Sequence, residues 1–349
     1  MEKKNTNPIM NIIGYFKSNP IVLLLLIASI IVSFTTDNFF SWGNFGNLVS
    51  NTAVRFLIAL GVSGCLITKG TDLSAGRQVG FAACLAGILC QRGDYANRVF
   101  KFIPEMNIGL VLIIVIIAGA IWGLIPAIFK ARWNTNETLF TLMMNYIAIQ
   151  LTSFLVAKWE NPYGSNTVGI INKTTQAGWF PSILGQPYLL NVIIVLAVTV
   201  LMFLYLKYAK HGYEIAVVGE SENTARYAGI SVRKVIVRTM ALSGAICGMS
   251  GFVAVAGSGH TISTSTAGGR GFTAIIVAWM AKFNTFVMIL IALLLVFLEK
   301  GAMQIASQFR LNDYASNVVM GIILFFLLGS EFFIQYTVHF RHHKKEADA

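Results

Sequence analysis

The chain has 349 residues, of which 56% are hydrophobic and only 12% charged, and its mean hydropathy is +0.68. Water-soluble domains carry about 25% charged residues, so this composition excludes a soluble enzyme, a disordered protein and a disulfide scaffold. What remains is an all-α polytopic membrane protein. Its net charge of +11 then reflects topology rather than nucleic-acid binding, because the basic residues cluster between apolar spans.

In chain order, charge-free stretches run over 18–36, 56–68, 78–91, 106–129, 138–157, 174–206, 239–269, 271–281, 283–298 and 314–330. A full crossing needs about 20 apolar residues. The pattern predicts about 8–10 transmembrane helices within a domain over 20–338, flanked by a segment over 1–19 and a basic tail over 339–349. The apolar run after Lys17 is long and lacks a small-residue cleavage site, so it reads as the first helix rather than a signal peptide. The short stretches 56–68, 78–91 and 271–281 admit two readings: broken or re-entrant helices, or ordinary helices with a charge inside one end. Residues 92–107 and 158–187 are expected outside. The second carries Trp159, Pro162, Trp179, Pro181 and Pro187, which suits an interfacial segment.

Ten crossings put both termini on one side. That side receives the head, Lys69, Arg77, Lys130, Arg132, the 207–238 segment, Lys282 and the tail, 17 of the 26 basic residues, and is therefore cytoplasmic. Cys65, Cys84, Cys90 and Cys247 lie in apolar runs and read as packing residues. The histidines His211, His260, His339, His342 and His343 show no metal-ligand spacing. The sequence contains no GxxxxGK[ST], HExxH or GxSxG, so neither nucleotide binding nor catalysis is expected of it. Glu137, beside Lys130 and Arg132, reads as a first-turn acid favoured by the helix dipole.

Two motifs stand out. Gly70-Thr71-Asp72-Leu73-Ser74-Ala75-Gly76-Arg77 has the residues of a helix break, since Thr, Asp and Ser side chains accept from free backbone N–H groups. In hydrocarbon a break survives only when buried in protein or lining a cavity; a well-capped loop is the alternative. Within 207–238, Ser221 suits an N-cap, Glu220 and Glu222 suit a helix N-terminus, and Gly229 suits the left-handed position after a helix. A short docking helix over 222–228 is expected there, with Ala225 and Ala228 on its contact side. A weak repeat relates Ser74-Ala75-Gly76 before Gly80-Phe81 to Thr266-Ala267-Gly268 before Gly271-Phe272, as an inverted repeat would. Candidate pathway residues are Asn51, Arg55, Asp72, Ser74, Asn145, Gln150 and Trp279; each is equally suited to gluing helices together.

Residues 55–106, with GTDLSAGRQVG at their centre, resemble the permeases of galactose/methyl-galactoside ABC importers, and GxDLSxG is shared with ribose- and xylose-type permeases. Gly219–Ile230 resembles the loop with which this branched-chain/ribose-type family docks on its ATPase. Residues 130–150, His211–Ser231 and Gly271–Lys282 are instead similar to nucleoside-type permeases, and the glycine-rich acidic segment of galactose permeases near the last of these is missing. The resemblance implies a non-catalytic subunit without cofactor, in a bacterial cytoplasmic membrane. Its implied partners are an ABC ATPase, an extracytoplasmic binding protein, a second permease copy or paralogue, and the lipid bilayer, with no nucleic acid. It also implies a docking loop comprising Gly219, Glu220, Ser221, Asn223, Ala225, Tyr227, Ala228 and Gly229. A neutral monosaccharide of the galactose type is the expected substrate and a nucleoside the alternative; a stand-alone facilitator or secondary transporter is the alternative of another class.

Overall fold

The computed structural model describes residues 42–91, 106–310 and 312–335. The stretch 18–36, the segment 1–19, the tail 339–349 and nearly all of the loop at 92–107 lie outside them. The described residues form helices α1 (Trp42–Ile67), α2 (Ala75–Cys90), α3 (Ile108–Trp133), α4 (Glu137–Trp159), α5 (Leu189–Tyr208), α6 (Lys210–Glu220), α7 (Glu222–Tyr227), α8 (Val232–Val253), α9 (Arg270–Met280), α10 (Thr285–Gln308) and α11 (Asp313–Gln335). A π-helical turn, Ala254–Gly259, extends α8. Six helices among the described residues are long and apolar enough to cross a membrane, and α2 and α9 are shorter apolar helices. The fold is all-α and multi-pass. The chain divides into two compact units, one over Phe40–Leu293 and one that includes Leu294 onward; the features below belong to the first.

Helix ends follow local chemistry. Asn107 caps α3 by accepting from the Gly109 N–H, and Asn134 closes it in the left-handed conformation. Asn136 caps α4 through the N–H groups of Thr138 and Leu139. Side chains then sort by size and polarity. On α3, Leu110, Ile113, Ile117, Ile121, Ile125 and Ile128 face outward, while Val115, Gly119, Gly123 and Ala127 are turned inward. On α5 the polar Asn191 and Thr199 are buried while Leu196, Val200 and Leu204 are exposed. Polar-inside, apolar-outside is the order expected in lipid, where small and polar residues hold helices together.

Small residues set the closest crossing. Gly119 and Gly123 of α3 meet Gly244 and Gly248 of α8 backbone to backbone; a Cβ on Gly248 would lie 2.6 Å from the Val115 carbonyl oxygen. The Gln78 side chain of α2 locks this crossing by donating to the carbonyls of Gly119 (3.1 Å) and Gly244 (2.9 Å). Helix α2 is the hub: 13 of its 16 residues are buried.

Three expected boundaries move. The stretch 56–68 is the second half of a 26-residue helix that starts at Trp42 and contains buried Arg55. The stretch 174–206 becomes helical only at Leu189, and 239–269 ends its α-helix at Val253. The residues so released, 174–188 and 260–269, join 160–173 in a cap in which N–H groups of Val168, Ile171 and Phe180 donate to the carbonyls of Ile262, His260 and Ala256, each at 2.8 Å. Apolar packing of Ile88, Trp159, Val168, Ile171 and Ile262 sits beneath it. The 207–238 segment, expected as a loop with one short helix, is mostly helical through α6 and α7.

Candidate functional site: a helix break and a docking segment

The break between α1 and α2 starts with two hydrogen bonds, Lys69 N–H to Leu66 O and Gly70 N–H to Cys65 O, both 3.0 Å. This is the Schellman end of a helix, with Lys69 in the left-handed position at φ 61°. Asp72 follows, only 1% exposed. Its carboxylate accepts from the Ser74 N–H (3.1 Å), the Ser74 hydroxyl (2.8 Å) and the Ser243 hydroxyl of α8 (2.8 Å). From α4, the Thr141 hydroxyl accepts from the Leu73 N–H at 3.2 Å and Thr138 lies 3.1 Å from Thr71, hydroxyl to hydroxyl. Side chains of the break itself and of α4, with α8 holding Asp72, thus satisfy the interrupted backbone, as a buried break requires.

The second half of the repeat comes to the same place. A Cβ on Gly76 would lie 2.5 Å from the Gly271 Cα, and one on Gly271 would collide with Gly76 in turn. The second residues of α2 and α9 therefore touch through bare backbone. Thr266-Ala267-Gly268, matched to Ser74-Ala75-Gly76 in the sequence, lies instead in the turn before α9, with Ala267 against Gly80. The two motifs meet, in a register shifted from their sequence match, because the residue that must lack a side chain is the one at the crossing.

The other candidates fall into two groups. Asn51 is half-buried and its Oδ1 accepts from Arg270 Nη2 at 3.3 Å, tying α1 to α9. Arg55, Asp72, Ser74 and Asn145 are buried, and Asn145 Oδ1 has no hydrogen-bond partner among the described residues. Gln150 and Trp279 are exposed: Gln150 lies in an outward groove with Tyr146, Ile147, Leu151 and Phe154 of α4, and Trp279 packs on Phe283 at 5.7 Å. Sequence reasoning missed Ser243, Thr141 and Gln78, which share no spacing with the residues they bind; an unexplained polar residue inside an apolar helix is the signal each of them offered.

Residues 44–328 match the family described as branched-chain amino acid transport system / permease component. The chain belongs to this family. The permease is 33% identical to the galactose/methyl galactoside import permease protein MglC of Escherichia coli (strain K12), over 68% of this chain and 70% of that one. It is 31% identical to the guanosine ABC transporter permease protein NupP of Bacillus subtilis (strain 168), over 64% and 66% respectively. Against the ribose import permease protein RbsC of Escherichia coli (strain K12) the identity is 27%, over 72% and 78%. No solved structure matches it. The permease is thus a membrane subunit of the ABC importer type.

The segment expected to dock is built in two short helices. Ser221 ends α6 and caps α7, its hydroxyl accepting from the Thr224 N–H at 3.3 Å, and Gly229 follows at φ +75°. The expected contact stripe is split. Ala225 is fully buried against Ile215, Val218, Val232 and Val235 of the permease itself, whereas Ala228 is exposed and Tyr227 is 94% exposed. Spacing alone placed Ala225 and Ala228 together, but a six-residue helix needs its one small apolar residue to anchor it. Gly219 is likewise buried, while Glu220, Asn223 and Gly229 face outward. At the base, Glu214 accepts from Arg238 Nη1 (3.0 Å) and pairs with His211 (3.3 Å). Desolvation raises the Glu214 pKa, but the hydrogen bonds from Arg238 and His211 outweigh it and hold the carboxyl below its ordinary value. A depressed acid stabilises the fold above its unfolded pKa, and that contribution is lost as pH falls through the folded pKa.

Proposed function

We propose that the permease imports a neutral monosaccharide of the galactose type, along a path between two membrane subunits. In this reading a separate ABC ATPase drives it and an extracytoplasmic binding protein feeds it. The observation that carries the reading is the face of α4, where the Gln150 amide is exposed among Tyr146, Ile147, Leu151 and Phe154. Lipid offers an amide no partner, so such a face suits a path or a partner subunit. Amides and aromatic rings without charge suit a hydroxyl-rich neutral solute, since an ion would be desolvated without compensation. The galactose/methyl galactoside relative supports the sugar. The guanosine relative supports a second reading, a nucleoside. Uptake of labelled galactose and of labelled guanosine, each with the permease gene deleted and restored, separates them. Permease-dependent uptake of guanosine alone would reverse the substrate assignment.

The same reading places 20–338 in the bacterial cytoplasmic membrane as the permease domain, with both termini, the head 1–19 and the tail 339–349 in the cytoplasm. Residues 221–230 then meet the ATPase, with Tyr227 the exposed aromatic anchor. A cysteine at Ser165 should react with an impermeant maleimide from outside intact cells, and one at Asn223 should not. Labelling of position 223 from outside would overturn the orientation.

A further inference from the structure

A lysine occupies a position where the backbone favours glycine. Lys69 is the left-handed residue that closes α1, at φ 61°, and such a position is strained for a side chain of its size. The next residue, Gly70, would have met the conformational demand one step earlier. The ammonium supplies the reason for the lysine: Lys69 Nζ donates to the Glu220 carbonyl at 3.2 Å. Glu220 is the last residue of α6, so Lys69 reaches across 151 positions of sequence to cap that helix at its electronegative end. The next residue, Ser221, is the N-cap of α7.

The contact is reinforced by shape. A side chain on Gly219 would collide with the Ile67 carbonyl, so the end of α6 sits directly on the end of α1. Ile67 also packs against the apolar cluster that buries Ala225. On its other side Lys69 leads into Gly70–Leu73, which Thr138 and Thr141 bind to α4 and Asp72 binds to α8. A cavity of about 80 Å³ lies alongside, lined by Lys69, Thr71, Lys130, Glu137, Ile236 and Met240 among others. The segment therefore borders space on one side and is bolted at both ends.

We infer that Lys69 is a positioning residue for transport: it fixes the docking segment to the helix break, so that displacement of α7 by the ATPase reaches the start of α4. The inference rests on the docking reading above and names the residue through which that docking acts. Glycine relieves the left-handed strain and removes the ammonium's bond to Glu220, so Lys69→Gly tests the contact without straining the turn.

The test uses the whole importer, permease with its ATPase and binding protein, reconstituted in proteoliposomes. Lys69→Gly should keep or raise the melting temperature, retain ATP hydrolysis within about twofold, and lower galactose or guanosine uptake, whichever the wild type carries, at least tenfold. Lys69→Arg, which keeps the cation, should restore uptake to within about threefold of wild type. Normal uptake by Lys69→Gly overturns the inference, and so does a parallel fall of hydrolysis and uptake, which marks a structural role. Cross-linking separates the two readings. If Tyr227→Cys fails to cross-link to the ATPase in an otherwise wild-type permease, the docking reading falls and takes this inference with it. If it does cross-link and Lys69→Gly transports normally, the coupling role alone falls.

Discussion

The break at 68–74 and the cap at 160–188 are both irregular, and they satisfy their backbones by opposite means. The break uses buried side chains: Asp72 and Ser74 within it, Thr141 of α4 and Ser243 of α8 supply the partners. The cap relies mainly on backbone pairing, within itself and with 256–264, helped by Asn172 and by the carboxylate of Glu160, which accepts from the exposed N–H groups of Gly164 and Asn166. The difference follows from surroundings. Where water can reach, an unmet N–H costs little; inside packed helices it costs the full desolvation penalty. A short break in the interior must therefore be specified residue by residue, while a longer cap distributes the same task over many weak contacts.

The sharpest way to break this contrast is Asp72→Ala. It orphans one N–H and two hydroxyls in a dry site and should cost about 3 kcal/mol, read as a lower melting temperature in detergent. A loss below about 1 kcal/mol would mean that water already enters the break. Asn172→Ala comes next. Asn172 donates to the carbonyls of Cys90 (2.7 Å) and Ala177 (2.6 Å) and sits at φ 53°. Losing both bonds and the residue type that tolerates that conformation should cost about 2 kcal/mol by the same assay. Glu160→Gln should do least, below about 1 kcal/mol, because the amide keeps one acceptor and water replaces the other. Should Glu160→Gln equal Asp72→Ala, the distinction between a specified interior and a distributed exterior fails.

Local chemistry was readable in advance and long-range chemistry was not. Ser221 and Gly229 bound a short helix because caps are written within four residues of the helix they end. Glu137 opens α4 and binds Lys130 at 2.7 Å for the same local reason. The break around Asp72 was visible in its own motif. Arg55 misled the span assignment, because charge-free length is a measure of exposure to lipid and α1 is buried in protein, where an arginine is tolerated. Residues 174–188 misled it in the other direction: they carry no charge and so lengthened the charge-free stretch, yet Gly178, Pro181, Gly185 and Pro187 hold them in turns. Ala225 shows the same limit in α7, since spacing gives the side of a helix but not which side meets the rest of the fold.

The glycine seam between α3 and α8 carries a mechanical consequence. Two helices touching backbone to backbone have no interposed side chains to change rotamer, so they resist shear and bend together like laminated strips. α8 begins two residues after Ile230, beside the short helix α7, and continues into its π-helical turn, where the Ala256 carbonyl holds Phe180 of the cap. Its 22 residues make a rod of about 33 Å at 1.5 Å per residue, stiffened by its neighbour along much of its length. A small tilt imposed at one end of such a rod is delivered at the other with little elastic loss, without any side chain having to relay it.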